Sequence, residues 1–183
     1  MSLLVKAGEL RWGGPQRHQL MGNSAQVRLA MVYGEQSNLM VGYRPPGYHS
    51  VPHRHLSEQL NYCVKGEIWF YIDDKGYKME EGDFLRVPSW APHWVWNQSD
   101  EENTLIEVHT PVIKVHERFP LAIPLDGDGE DFTPQFGRSN VYLGSEVAET
   151  VEKLVHGDLG REVPITETVQ GSTASNSGTR EPV

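Results

Sequence analysis

His53 and His55, with one residue between them, are the side chains best placed to do chemistry together. Alternate residues of an extended segment share a face, so both imidazoles can converge on one ion. Neutral imidazole nitrogen suits iron, manganese, nickel, copper or zinc. His93 brings a third imidazole from a distant part of the chain. Cys63 is the only cysteine, which excludes a thiolate cluster and an internal disulfide. Alternation sets Asn61 and Cys63 on the face of Gln59, with Tyr62 on the other. Cys63 then reads as a small filler and not a nucleophile.

Glu107 and His109 share one face of the run Thr104–His109. If that face lines an interior, either could move protons beside a metal. The alternative is a histidine pointing outward at a strand end. His49 is expected at the mouth of the site, and His18, His116 and His156 on the surface. Arg44 and Arg86 are candidate contacts for an anion, with plain surface roles as the alternative. Trp94 and Trp96 alternate away from His93, so they should pack between sheets or at a subunit contact. Trp90, on the loop leading to His93, could shape the lip of a pocket.

The elements that must position these groups are short strands. Gln26–Tyr33, Asn38–Tyr43, Gln59–Val64, Glu67–Ile72, Tyr77–Glu80, Phe84–Pro88, His93–Asn97 and Thr104–His109 are rich in β-branched and aromatic residues. Gly, Pro, Asn or Asp bounds each of them. Asp73-Asp74-Lys75-Gly76 reads as a hairpin turn in which Gly76 supplies the positive φ. Strands at this spacing predict a sandwich or barrel. After Pro120 the pattern changes to the acidic loop Leu125–Asp131 and one helix, Ser145–His156. Ser145 suits its N-cap and Gly157 its end, and Val147, Val151, Leu154 and Val155 form its apolar stripe. That stripe must bury on this barrel or on a neighbouring subunit. Gln170–Val183 has almost no apolar content and is expected to be disordered alone.

Two longer patterns frame the histidines. In the first, Gly47, His53, His55, Gln59 and Gly66 stand in register with glycine, five residues, HxH, three residues, an acidic position, six residues, glycine. In the second, Gly82, Pro88, His93 and Asn97 stand in register with glycine, five residues, PxG, two residues, histidine, three residues, asparagine. Here the chain resembles the cupin superfamily over roughly residues 38–112, and the two motifs together make a specific signal. The resemblance implies an all-β, double-stranded β-helix, the cupin or jelly-roll barrel, here with a short C-terminal helix. It also implies metal ligands at His53, His55, Gln59 and His93. Two positions depart from the pattern: Gln59 stands where it has Glu, and Trp90 where it has Gly. An amide ligand leaves the first shell uncharged, which should make a bound divalent ion more Lewis acidic. Glu58 would replace Gln59 only if the loop shifted by one residue, and alternation puts it on the opposite face.

The 183 residues suggest a barrel over 1–120, an arm over 121–169 and a tail over 170–183. A net charge of −9 argues against nucleic acid and anionic membranes, and no apolar run is long enough to span one. A cytoplasmic protein is the default expectation. The resemblance further implies a homodimer and a small-molecule substrate. The ion would be iron, manganese, nickel or zinc, with iron preferred. The reading favoured is a dioxygenase acting on a chelating, enolisable or hydroxylated compound. An isomerase, cyclase or lyase, or a non-catalytic binder, is the alternative, because fold does not fix function.

Overall fold

The computed structural model describes residues 4–15, 19–22, 26–112, 123–124 and 141–157. In chain order the strands are β1 (Arg28–Tyr33), β2 (Asn38–Arg44), β3 (His53–Arg54), β4 (Glu58–Lys65), β5 (Glu67–Ile72) and β6 (Lys75–Glu80). They continue with β7 (Phe84–Val87), β8 (His93–Trp96), β9 (Asn103–Thr110), β10 (Ile123–Pro124) and β11 (Val141–Tyr142). Helix α1 (Ser145–His156) follows. The strand boundaries lie within two residues of those expected, because β-branched and aromatic runs between turn residues mark them. The two-residue strands β3, β10 and β11 are additional, being too short to carry any such run.

Two sheets pack face to face in a cupin-like sandwich. One has the order β10-β1-β2-β9-β4-β7 and the other β11-β3-β8-β5-β6. Neighbours are antiparallel except β1 and β10. Ile68, Phe70, Met79 and Val95 from the second sheet meet Leu29, Cys63, Val87 and Leu105 from the first, all buried. Gly66 connects β4 to β5 at φ 73°, and a Cβ there would lie 3.0 Å from the Glu102 carbonyl oxygen. Both facts demand glycine at this motif position.

The β5–β6 hairpin differs from expectation. Ile72 pairs with Lys75, so the turn is Asp73-Asp74, and Asp73 takes the positive φ of 55°. Gly76 lies inside β6, where a Cβ would meet Val155 of α1 at 2.6 Å. Its role is to seat the helix. That helix covers the outer face of the second sheet, packing Ala148 and Val151 on Tyr71 and Trp94, with Val147, Val155, Trp69 and Trp96 around them. The apolar stripe is therefore buried on this barrel. Leu154 is exposed and Ala148 takes its place in the stripe. Gly144 and not Ser145 holds the N-cap position, without a side-chain cap, and Gly157 ends the helix at φ 70°.

His49 and His156 also belong to this contact. His49 stacks on Trp96 at 4.7 Å, and its Nε2 lies 2.9 Å from Glu152, which also accepts from Trp94 Nε1 at 2.7 Å. His156 Nε2 lies 2.6 Å from the Tyr71 hydroxyl. His49 is thus under the helix and not at a pocket mouth, and His156 is part of the docking surface. Neither position can be read from its neighbours in sequence. The boundary near Pro120, the loop Leu125–Asp131, the tail Gln170–Val183, His18 and His116 lie outside the described residues. Among those described, no helix is long and apolar enough to cross a membrane.

Candidate metal centre

Antiparallel pairing of β3 with β8 sets His53 directly opposite His93, and their rings lie 4.4 Å apart. The ring of His55 lies 4.8 Å from that of His93 and 5.8 Å from that of His53. One ring nitrogen from each of the three lies within 4.8 Å of the other two. The backbone chooses which nitrogen that is. The Nδ1–H groups of His53, His55 and His93 donate to the carbonyls of Val51, Ser57 and Ala91, each at 2.9 Å. A neutral imidazole holds one proton, so Nε2 carries the lone pair in all three. His93 Nε2 is buried and has no hydrogen-bond partner among the described residues. An unpartnered buried acceptor beside two others is the arrangement that a cation satisfies.

The electrostatics agree with a neutral cluster. Burial pushes the His53 imidazole down to about 4, opposed by the Val51 carbonyl and aided by His55. Burial also lowers His55, and lowers His93 further with help from His53 and His55. The metal-free protein should therefore lose stability as pH falls from 6.5 through 4. Over that window the unfolded chain takes up protons that the folded site refuses. Below pH 4 the loss from His53 alone reaches about 3 kcal/mol, and above 6.5 it vanishes. Urea titrations of the apoprotein at pH 7, 5 and 4 check this, and a constant midpoint would contradict it.

Behind the histidines lies a polar layer from the first sheet. β9 pairs with both β2 and β4, so one row holds Asn38, His109 and Gln59, and the next holds Met40, Glu107 and Asn61. Asn38, Gln59, Asn61, Glu107 and His109 are all buried. Glu107 and His109 thus face the interior, and the outward alternative for His109 does not hold. Asn38 Nδ2 lies 3.0 Å from His109 Nδ1, which leaves the ring proton on Nε2. The ring of His109 sits 5.5 Å from that of His55, and burial holds its imidazole well below the usual range.

Arg44 is also buried and its guanidinium pairs with Glu107. Gly42 makes this possible, since a Cβ there would lie 2.6 Å from Arg44 Nη1. Arg86 instead lies on the outside, bonded to Glu58 at 2.5 Å. That contact places Glu58 away from the histidines. Gln59 lies inside, buried on the same face of β4 as Asn61.

Two neighbours of the cluster were not anticipated. Tyr142 of β11 is the cross-strand partner of His53, with its ring 5.9 Å away, and Gln19 Nε2 donates to its hydroxyl at 2.5 Å. Tyr48 is buried against Arg44. Nothing local in sequence marks Tyr142. Asn38 could have been found by extending the alternation of β2, which sets it on the face of Arg44. Trp90 occupies the motif's glycine position at φ 62°, with its backbone N–H bonded to the His55 carbonyl at 2.8 Å. A side chain in the left-handed region costs of order 1–3 kcal/mol, and Trp90 is nevertheless exposed.

A two-sheet antiparallel barrel with a triad of imidazoles inside defines the class of protein: a small β-barrel with a candidate metal centre. The cupin-domain family model matches residues 40–109, which run from β2 to β9 and contain the whole triad. Residues 40–109 thus match a cupin domain, and the two-sheet fold agrees with that match. The chain is 36% identical over 62 residues to a gentisate 1,2-dioxygenase from a Streptomyces species, covering 33% of this chain and 17% of that one. It is 32% identical over 107 residues to the acireductone dioxygenase of Branchiostoma floridae, covering 49% and 57%. The chain thus spans less than two thirds of each of these curated relatives. Among solved structures, the polyketide cyclase RemF from Streptomyces resistomycificus superposes with a TM-score of 0.52 at 14% identity, covering 60% of this chain and 80% of that one. At that identity the likeness concerns the fold.

Proposed function

We propose that this barrel is a metal-dependent enzyme that adds dioxygen to a small chelating molecule, an enolisable or hydroxylated compound. The observation that supports it most is the convergence of three Nε2 lone pairs, one of them buried without a partner among the described residues. His53, His55 and His93 would hold one divalent ion and Gln59 would add its amide oxygen. This shell has no charge of its own, which suits ferrous iron, with manganese, nickel and zinc as the alternatives. When bound, such an ion supplies Lewis acidity and a common site for substrate and dioxygen.

His109 is the proton-handling residue in this reading. Its ring is neutral, and Asn38 orients it so that the Nε2–H can donate to negative charge developing on a bound molecule. Glu107, neutralised by Arg44, sets the polarity of the layer behind the ligands. The partial likeness to two dioxygenases supports the reaction class. The overall reaction is substrate plus O2, with both oxygen atoms kept in the products, so no outside reductant is needed. The same proton donor favours a second reading, an isomerase, cyclase or lyase that moves protons without oxygen.

Elemental analysis of protein purified without an affinity tag tests the proposal, together with an oxygen electrode and gentisate, catechol and pentane-2,4-dione as probes. Iron and one O2 consumed per molecule of substrate are expected. Zinc with no uptake on any probe would count against the oxygenase. Anaerobic exchange of the dione's C–H into deuterated water would then favour the second reading.

A further inference from the structure

Gln59 has two chemically different ends, and its buried surroundings decide which one faces the histidines. Asn61 Nδ2 donates to the Leu85 carbonyl at 3.2 Å, so Asn61 Oδ1 is left as an acceptor. Gln59 Nε2 donates to that oxygen at 2.7 Å and to Glu107 Oε2 at 3.2 Å. A carboxylate can only accept, and Arg44 pairs with its other oxygen. Both protons of the Gln59 amide are thereby committed, one to Asn61 of β4 and one to Glu107 of β9. Its carbonyl oxygen is the end that this layer leaves unused, while the Nδ1 of neighbouring His55 is already held by Ser57.

We propose that Glu107, seated on Arg44, is the positioning residue that turns and polarises Gln59 so that its Oε1 joins the three imidazoles. The inference rests on the metal reading above. Charge-assisted hydrogen bonds are about twice as strong as neutral ones, and donating to a carboxylate shifts electron density toward the amide oxygen. The negative charge that the motif carries at position 59 is here on the neighbouring strand β9, at Glu107. A Glu at 59 in this background would press two buried carboxylates together where a 3.2 Å hydrogen bond now runs. Gln59 and Glu107 are therefore a matched pair, and the departure from the motif is a relocation of charge. Gly42 belongs to the same device, because it clears the space in which Arg44 reaches Glu107.

The test is Co(II) affinity, measured by competition with a chromophoric chelator on full-length protein, with near-ultraviolet circular dichroism to establish folding. Glu107→Gln should weaken Co(II) binding about 10–100-fold, the range for a group that orients a ligand. Gln59→Ala should weaken it at least as much. The exchange Gln59→Glu with Glu107→Gln should restore wild-type strength, which a merely structural role for Glu107 would not produce. If Glu107→Gln does not fold, Arg44→Gln with Glu107→Gln removes both charges together and should show the same loss. Wild-type affinity in the folded Glu107 variant, or in Gln59→Ala, would overturn the inference while leaving the triad intact. Failure of wild type itself to bind Co(II) would overturn the metal reading, and this inference with it.

Discussion

Replacing His93 by alanine should lower affinity for a divalent transition metal by more than about 100-fold, beyond the 10–100-fold typical of changes behind the ligands. Three facts make this position decisive. Its Nδ1–H is held by Ala91, so Nε2 is presented as a lone pair. That nitrogen is buried with no hydrogen-bond partner among the described residues, a situation worth about 1–3 kcal/mol against the metal-free fold. His93 also stands between the other two imidazoles, its ring 4.4 Å from His53 and 4.8 Å from His55. Metal binding should therefore stabilise the wild-type protein. At free metal 100 times the dissociation constant the gain is about 2.7 kcal/mol. In the His93→Ala variant that gain should vanish. Thermal unfolding of both proteins with cobalt and with EDTA is the measurement. A variant whose midpoint still rises with cobalt to the wild-type extent would show that His93 is not a ligand.

The second large effect concerns stability. Arg44→Leu should cost about 3–5 kcal/mol, because it strands the Glu107 carboxylate in a buried layer without its cation. Glu107→Leu should cost a similar amount by stranding Arg44, whose guanidinium burial already opposes its charge. The double variant should recover much of the loss, since replacing both partners of a buried pair with apolar groups is far milder than removing one. Urea unfolding of the four proteins gives the coupling directly. Additive losses would mean that the two side chains do not depend on each other. The double variant also separates stability from ligation. It should be folded, yet bind cobalt weakly, because Gln59 would have lost its strongest acceptor.

The covering of the second sheet shows where local reading stops. The helix and most of its stripe follow from 3.6-residue periodicity, a property of one segment. Its destination does not, since Tyr71, Trp94 and Gly76 meet it from strands far earlier in the chain. Gly76 looks like a turn glycine in its own neighbourhood because it follows Asp-Asp-Lys. Pairing of Ile72 with Lys75 moves the turn forward and leaves Gly76 in the strand, under Val155. His49 is misplaced by the same logic: four residues before the metal pair in sequence, it faces the opposite side of the sheet, against Glu152.

For the centre itself, the sequence alone determined the three imidazoles and the inward face of Gln59. A strand repeats every two residues, and the two motifs carry those residues in register. Alternation likewise set Glu107 and His109 on one face, without deciding which. Only the tertiary structure settled that they face inward, that Arg44 is buried beside Glu107, and that Glu58 turns outward to Arg86. The physical reason is distance along the chain. Arg44 and Glu107 are 63 residues apart and Gln59 and Glu107 are 48 apart. Such contacts exist only once β2, β9 and β4 lie side by side, and the orientation of the Gln59 amide follows from them.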